Sequence, residues 1–367
     1  MSEVGRQIIL ECLQETWSFK GGEKAPPHID PDTDLLQHLT NGGLDSRGML
    51  LLKAALEAKL ELQAPLPVTA LMSARTIHEL EKEIFRASVA SSKSLILPFS
   101  AHGSKTALFL FPPGGGELHC WIELVRFLPD RPIYGLRLRG LQEGEANFET
   151  MQDTVETFIR EMKQVVPRGP YALLGMCFGG NVAFEVAKAL EAGGDEVVFI
   201  GGVDNAPHLG AGHMSFDSMR FFIVDLLSTR GLLTAEEANK TKENLKDANL
   251  SEFPQLIMRR FRTRLEAAGI TRQRLEAWHQ VFVGTGRIAQ DYVPEGTVSK
   301  YTSFWATPLP EWGISKDEWE KRVMGWSALA RISSFHFIPG DHYTALTRKH
   351  IDVFQSTFNE ELKLCEN

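Results

Sequence analysis

A cysteine flanked by glycines is the part of the sequence with the most chemical content. Residues 175–180 read Gly-Met-Cys-Phe-Gly-Gly, and they follow the apolar run Tyr-Ala-Leu-Leu and precede a helix-forming stretch. Glycines around Cys177 permit a sharp turn from strand to helix that exposes the middle side chain, and the helix start favours a thiolate. A buried packing cysteine is the alternative. The strand, turn and helix context predicts that Cys177 is a nucleophile.

A base and an acid follow Cys177 in the chain order expected for such a nucleophile. Asp204 comes directly after the apolar run Val197–Val203, and His342 lies in Ile-Pro-Gly-Asp-His-Tyr, just after the last predicted strand. We expect His342 to remove the thiol proton or to pair with the thiolate. We expect Asp204 to hold the imidazole in the required tautomer.

Other candidates for these two roles are weaker. Glu311 follows the strand-like run Ser303–Ala306 and is the second choice for the acid, whereas Asp341 adjoins His342 and is expected to be badly placed to reach its ring. The remaining histidines considered are predicted to be surface or packing residues: His119, His208, His213 and His336.

A glycine-rich loop could supply hydrogen-bond donors to an oxyanion. Residues 111–116 read Phe-Pro-Pro-Gly-Gly-Gly and follow an early predicted strand. An ordinary Pro-Gly turn is the alternative, but the position ahead of the Cys177 turn favours function. We predict that the backbone N–H groups of Gly114 and Phe178 form a two-donor oxyanion hole.

A second short motif lies near the N-terminus. Residues 43–46 read Gly-Leu-Asp-Ser, and Ser46 is predicted at or just before the start of a helix. Free N–H groups and the helix dipole suit a phosphate at that position. A simple helix cap by Asp45 or Ser46 is the alternative.

The surrounding elements divide the chain into two regions. Residues 1–86 are predicted to form a small helical bundle, and residues 87–94 are predicted to be a linker because they are small and polar. In residues 95–367, short apolar runs alternate with helical stretches, which predicts an α/β fold with a largely parallel sheet. The helical pattern of about 215–295 interrupts this alternation and predicts a lid. The predicted strands are Leu108–Phe111, Ile133–Leu136, Tyr171–Leu174, Val197–Val203 and Phe335–Ile338.

Charge and composition narrow the classes of partner that the protein can bind. The 367-residue chain has a formal net charge of −8, which argues against a nucleic-acid partner. Residues 1–85 hold 8 Lys and Arg against 13 Asp and Glu, and this acidic region suits a partner that docks through basic patches. No apolar run is long enough to span a membrane, and no secretory signal is apparent. Four scattered cysteines form no CxxC pair, so we predict no metal site and a reducing, cytoplasmic setting.

The Gly-Leu-Asp-Ser motif in an acidic helical bundle resembles the acyl or peptidyl carrier domains of polyketide and nonribosomal peptide synthetases. That resemblance implies 4′-phosphopantetheine on Ser46, attached by a phosphopantetheinyl transferase. Arg47 departs from the Leu or Ile usual in the family, which bears on partner recognition.

Residues 95–367 resemble the type I thioesterase domains of such assembly lines, through Phe-Pro-Pro-Gly, Gly-Met-Cys-Phe-Gly-Gly, Asp204 and Gly-Asp-His. The resemblance implies an α/β-hydrolase fold with a helical lid and a carrier-bound acyl substrate. The family usually has Ser where this chain has Cys177. A thioester on cysteine stays activated, which suits release by C–C bond formation or ring closure.

The pair of regions is similar to the C-terminal part of fungal nonribosomal peptide synthetase-like enzymes, which join two aryl 2-oxo acids into quinones or furanones. Because Met1 leads directly into the first predicted helix, we expect an excised didomain that depends on an upstream adenylation domain. A hydrolytic or macrocyclising thioesterase is the alternative within the class. An inactive scaffold that delivers the carrier to partner enzymes is the alternative from another class.

Overall fold

A computed structural model of the chain describes residues 3–18, 46–60, 66, 68–74, 76–89, 94–116, 118–208 and 221–366. Several sequence predictions fall outside these residues: the motif positions 43–45, the side chain of Ser46, His213, and the first part of the predicted lid.

The N-terminal region contains helices whose apolar faces pack on one another. Ile9, Leu13, Leu52 and Leu56 are fully buried, and Thr76 Oγ1 accepts a hydrogen bond from the N–H of Glu79, 3.1 Å away, where the last helix begins. The described helices are α1 (Glu3–Ser18), α2 (Ser46–Lys59), α3 (Val68–Ser73) and α4 (Ile77–Val89).

Helix α4 corrects one predicted boundary. It continues through Val89, three residues into the segment predicted as a linker. Small residues such as Ala87 and Ser88 are compatible with a helix, and neither Gly nor Pro occurs there to end it. The first three residues of the predicted linker are therefore helical, and the rest of it up to residue 93 lies outside the described residues.

A seven-stranded sheet forms the centre of the C-terminal region. Its strand order is β1-β3-β2-β4-β5-β6-β7, with β1 antiparallel to β3 and all other pairs parallel. Central strands are buried along their whole length, as expected when helices cover both faces. The strands are β1 (Ile96–Ser100), β2 (Ala107–Phe111), β3 (Ile133–Leu136), β4 (Tyr171–Met176), β5 (Val197–Val203), β6 (Val298–Thr307) and β7 (Ala330–Asp341).

Helices connect the strands and cover the sheet. The connecting helices are α5 (Ile122–Val125), α6 (Met151–Val165), α7 (Phe178–Ala192), α8 (Phe222–Thr229), α9 (Ala235–Leu245), α10 (Phe253–Ala267), α11 (Arg272–Asp291), α12 (Lys316–Val323) and α13 (Ile351–Glu366). Helix α7 packs on β4 and β5. Between β5 and β6 the described residues form helices α8–α11, in the region predicted as the lid.

This largely parallel sheet covered by helices, with a helical region between β5 and β6, confirms the predicted α/β fold class. The edge strand β1 was not predicted, and a 3₁₀ turn at His119–Trp121 precedes α5. In the described part of the chain, no helix combines the length and the apolar character needed to cross a membrane.

Candidate active site

Cys177 lies at the junction of β4 and α7, where the backbone takes a conformation that few side chains adopt. Its φ is 54° and its ψ is −125°, and its N–H donates to the carbonyl of Val203 on β5 at 2.9 Å. Such backbone strain is typical of a nucleophile held on a tight strand-to-helix turn. The side chain is only 6% exposed and lines a small cavity.

Glycines on either side of Cys177 allow this turn to close. A Cβ at Gly175 would lie 2.0 Å from the carbonyl oxygen of Gly179, and a Cβ at Gly179 would lie 2.5 Å from the carbonyl oxygen of Pro112. Only glycine fits at either position, because the backbones approach too closely for a side chain. The second contact brings the 112–116 loop against the start of α7.

The predicted acid and base are in direct contact. Nδ1 of His342 lies 2.7 Å from Oδ2 of Asp204, with the Asp204 side chain fully buried and that of His342 12% exposed. Because β4, β5 and β6 are parallel neighbours, their carboxyl ends place Cys177 and Asp204 at one edge of the sheet. His342 reaches this edge from the loop after β7.

Three donors converge on the Asp204 carboxylate. Its other oxygen, Oδ1, accepts from the backbone N–H of Ala306 at 3.0 Å and from Nε1 of Trp319 at 3.1 Å. These bonds offset the cost of burying a carboxylate and fix its orientation. Sequence reasoning missed Trp319, because a donor 115 residues beyond Asp204 on a separate helix leaves no local signal.

The surroundings of His342 favour its protonated form. Burial alone lowers its pKa, but the neighbouring Cys177 and hydrogen bonds to Asp204 and Cys177 outweigh burial and raise the pKa of His342 to about 10. With Nδ1 bound to Asp204, Nε2 is the ring nitrogen left for the thiol. This arrangement can support a thiolate–imidazolium pair.

The catalytic cavity is small and largely apolar, with a volume of about 130 Å³. Gly114 lines it, and Phe178, the first residue of α7, carries an N–H that has no acceptor within its own helix. His119, predicted to be a surface or packing residue, also lines this cavity. Cys120, Phe222 and Trp312 are further lining residues that sequence reasoning missed.

Two helices of the region between β5 and β6, predicted as the lid, contribute an aromatic wall to this cavity. The rings of Phe222 on α8 and Phe282 on α11 stack in parallel, with centroids 3.9 Å apart. Trp312 packs edge-on against the His342 ring at 5.2 Å. An aromatic wall around a compact cavity suits an aryl group better than a long flexible chain.

The other candidates lie elsewhere in the site or outside it. Glu311 forms an ion pair with Lys242 at 3.5 Å, and the carboxylate bonded to His342 is that of Asp204. Asp341 accepts hydrogen bonds from the backbone N–H groups of Tyr343 and Thr344, so it stabilises the turn.

A larger cavity, of about 280 Å³, separates helix α2 from the sheet region. On one side it is lined by Leu50, Leu51 and Lys53, within two turns of Ser46. On the other side lie His119 and Trp278. Because His119 lines both cavities, the two are neighbours.

Comparison with known proteins gives relatives of both regions. Aspulvinone E synthetase melA of Aspergillus terreus is 32% identical over 337 residues, which is 91% of this chain and 36% of that protein. Atromentin synthetase nps3 of Serpula lacrymans is 32% identical over 272 residues, 73% of this chain and 28% of that protein. The chain thus spans about a third of the length of the curated relatives it matches.

Solved structures and a family model complete the comparison. The four-domain nonribosomal peptide synthetase holo-AB3403 matches 96% of this chain and 26% of its own with a TM-score of 0.62 and 20% identity. The wild-type Vlm2 thioesterase domain matches 72% of this chain and 96% of its own with a TM-score of 0.56 and 20% identity. The model of the thioesterase domain matches residues 106–362, more than half of the chain, and the chain therefore belongs to the thioesterase domain family.

Proposed function

We propose that this chain takes an acyl group from a phosphopantetheine arm on Ser46 onto Cys177 and releases it by condensing two aryl 2-oxo acid units to a quinone or a furanone. The observation that carries this is a cysteine at the nucleophile turn, backed by His342 and Asp204, in a cavity of about 130 Å³ with an aromatic wall. The relatives named as synthetases of aspulvinone E and atromentin support the same chemistry.

The first step is acyl transfer to the thiol. His342 accepts the proton of Cys177, and the sulfur attacks the thioester carbonyl carbon, while Asp204 keeps the imidazole proton on Nδ1. The backbone N–H groups of Gly114 and Phe178 stabilise the oxyanion that forms. His342 then returns the proton to the departing thiol.

The described residues fit a 4′-phosphopantetheine arm on Ser46. Helix α2 begins at Ser46 and lines the cavity of about 280 Å³, which adjoins the catalytic cavity at His119. The arm supplies the thiol that carries the acyl group, and a phosphopantetheinyl transferase attaches it. Loading of the arm falls to an upstream adenylation domain.

The identity of the nucleophile bears on how the product is released. Transfer to Cys177 exchanges one thioester for another, so the acyl group keeps its reactivity toward a carbon nucleophile. An ester on serine would be less reactive, and the acidity of carbon-bound hydrogens next to its carbonyl would be lower. A cysteine therefore favours C–C bond formation over simple hydrolysis, and a cavity of about 130 Å³ favours an aryl unit over a peptide that must cyclise.

The replacement Cys177→Ser tests this function. Serine fits the turn, so acyl transfer continues, but the condensed product falls and the acyl-enzyme or the hydrolysed acid rises. The measurement is the ratio of condensed to hydrolysed product from the same loaded carrier, determined by mass spectrometry. Cys365→Ser, on helix α13 and outside the lining of the Cys177 cavity, is the matched control and keeps the parent ratio. An unchanged ratio in Cys177→Ser would show that the cysteine is not there for C–C bond formation.

A further inference from the structure

A second set of polar contacts, formed by Tyr343, Asp225 and Lys242, reaches the catalytic cavity. It takes no part in the Cys177–His342–Asp204 arrangement. Tyr343 lines the cavity, and its hydroxyl donates to Oδ2 of Asp225 at 3.4 Å. Oδ1 of Asp225 forms an ion pair with Nζ of Lys242 at 2.6 Å. The three residues come from the loop after β7, from α8 and from α9, so no single element of structure accounts for their meeting.

These polar contacts are shielded from solvent. The side chains of Asp225 and Lys242 are 12% and 22% exposed. Burial raises the pKa of Asp225, an effect that Lys242 opposes, so the carboxylate accepts a proton more readily than an ordinary aspartate. Burial, followed by the nearby charge of Asp225, raises the pKa of Tyr343, so its phenol keeps its proton and donates.

Tyr343 is also close to the reacting groups. Its ring packs edge-on against that of His342, with centroids 5.5 Å apart, and both side chains line the cavity that contains Cys177. A tyrosine–aspartate distance of 3.4 Å is in the range that catalytic hydrogen bonds often have before substrate binds. Condensation needs a proton transfer that acyl transfer does not, at the CH₂ carbon next to the 2-oxo group.

We propose that Tyr343 is the catalytic residue that exchanges a proton with this CH₂ carbon and that Asp225, held by Lys242, is the positioning residue that receives the tyrosine proton. This role rests on the proposed condensation of aryl 2-oxo acyl units. The C–H bond breaks, its proton passes to the Tyr343 oxygen, and the proton of Tyr343 passes to Asp225.

The electron pair left on carbon then forms the new bond. The carbon attacks the thioester carbonyl of the other unit, the C–S bond breaks, and the sulfur leaves as thiolate. The proton gained by Asp225 and the negative charge gained by the sulfur offset each other, so no oxidant, reductant or further reactant is needed. His342 and the solvent restore both groups.

Deuterium exchange separates this role from acyl transfer. The full chain, in its holo form, receives a phenylpyruvyl group from the N-acetylcysteamine thioester in D₂O, and the peptide carrying Cys177 is analysed by mass spectrometry. Acyl occupancy reports transfer, and deuterium in the CH₂ group, above that of the free thioester, reports proton transfer at carbon. The variants are Tyr343→Phe and Asp225→Asn, which keep the size of each side chain.

The control is Glu237→Gln, which weakens the Glu237–Arg264 ion pair inside the lid without touching the cavity. We expect both test variants to acylate Cys177 within about threefold of the parent rate but to incorporate deuterium at least about tenfold more slowly, as for loss of a proton-transfer group. Glu237→Gln matches the parent in both readouts.

Two outcomes overturn the role of Tyr343. One is parent-like deuterium exchange in Tyr343→Phe. The other is an equal fall in acylation and exchange, which would make Tyr343 and Asp225 merely structural. The exchange does not depend on condensation, so the two hypotheses fail separately. The parent could incorporate deuterium in a way that Tyr343→Phe abolishes and yet form no condensed product. That result would support the proton-transfer role and refute the proposed release reaction.

Discussion

Replacement of Asp204 by Asn tests the proposed division of labour between the acid and the base. Asp204 receives three donors, two at Oδ1 and one at Oδ2. Asparagine offers only one oxygen and an NH₂ group. Because Ala306 and Trp319 both donate on one side, the amide oxygen takes that side and the NH₂ group faces His342.

This orientation reverses the tautomer of His342. Nδ1 must then accept a hydrogen bond, so the ring proton moves to Nε2, where it faces the thiol and prevents His342 from accepting the thiol proton. The analogous change in serine proteases costs about 10⁴-fold, and the greater acidity of a thiol lessens the cost here. We expect acylation of Cys177 to slow by about 10²–10⁴-fold, with the fold retained because the two hydrogen bonds at Oδ1 survive.

The assay is single-turnover acylation of Cys177 from a small thioester, followed by intact mass, with thermal unfolding as the check on folding. Glu311→Gln is the comparison, because Glu311 was the alternative acid and contacts Lys242 instead. It should stay within about threefold of the parent. Severe loss in Glu311→Gln together with near-parent activity in Asp204→Asn would refute the assignment of the acid.

Three further expected outcomes concern Ser46, the region predicted as the lid and the charge of His342. Incubation with coenzyme A and a broad-specificity transferase should add one pantetheine arm to the parent but not to Ser46→Ala, as read by intact mass; an equal gain in the variant would place the attachment elsewhere. Hydrogen exchange should be faster in α8–α11 than in β4 and β5, which are buried in the sheet centre, and uniformly slow exchange would contradict a mobile lid. The pKa of His342 is raised from 6.5 to about 10, so the stability that its protonated form provides is fully present below about pH 6.5 and is lost as pH rises through about 10. The difference in free energy of unfolding between the parent and His342→Gln should therefore shrink over that range in urea titrations, and a constant difference would contradict the raised pKa.

The sequence was sufficient for those features that depend on local pattern. Apolar runs predicted Ile133–Leu136 and Val197–Val203 with the observed bounds, because buried parallel strands have a continuous apolar sequence. The glycines around Cys177 predicted the strand-to-helix turn, since only glycine tolerates the backbone contacts found there. The order of nucleophile, acid and base then pointed to the two residues that lie in contact, Asp204 and His342.

Features that depend on contacts between distant elements were not predictable from local pattern. Trp319 donates to Asp204 from a helix that precedes β7, and Asp225 reaches Tyr343 across 118 residues. The residues around His119 in the sequence did not predict that this side chain, in a 3₁₀ turn, lines the cavity. In each case the partner is determined by packing of the lid or of the strand ends, which one sequence does not specify locally.

The two neighbouring residues His342 and Tyr343 contact carboxylates in different parts of the fold, and this difference orders the proposed reaction. Asp204 follows β5 at the sheet edge, so its bond to His342 does not depend on the lid. Asp225 is on lid helix α8, so its bond to Tyr343 exists only while α8 packs against the catalytic loop. On the proposed mechanism, acyl transfer can therefore proceed while the lid admits the arm, whereas proton removal from carbon requires the lid to be closed. Since closure also excludes water, the carbanion equivalent forms only when hydrolysis of the thioester is suppressed, which favours the condensed product.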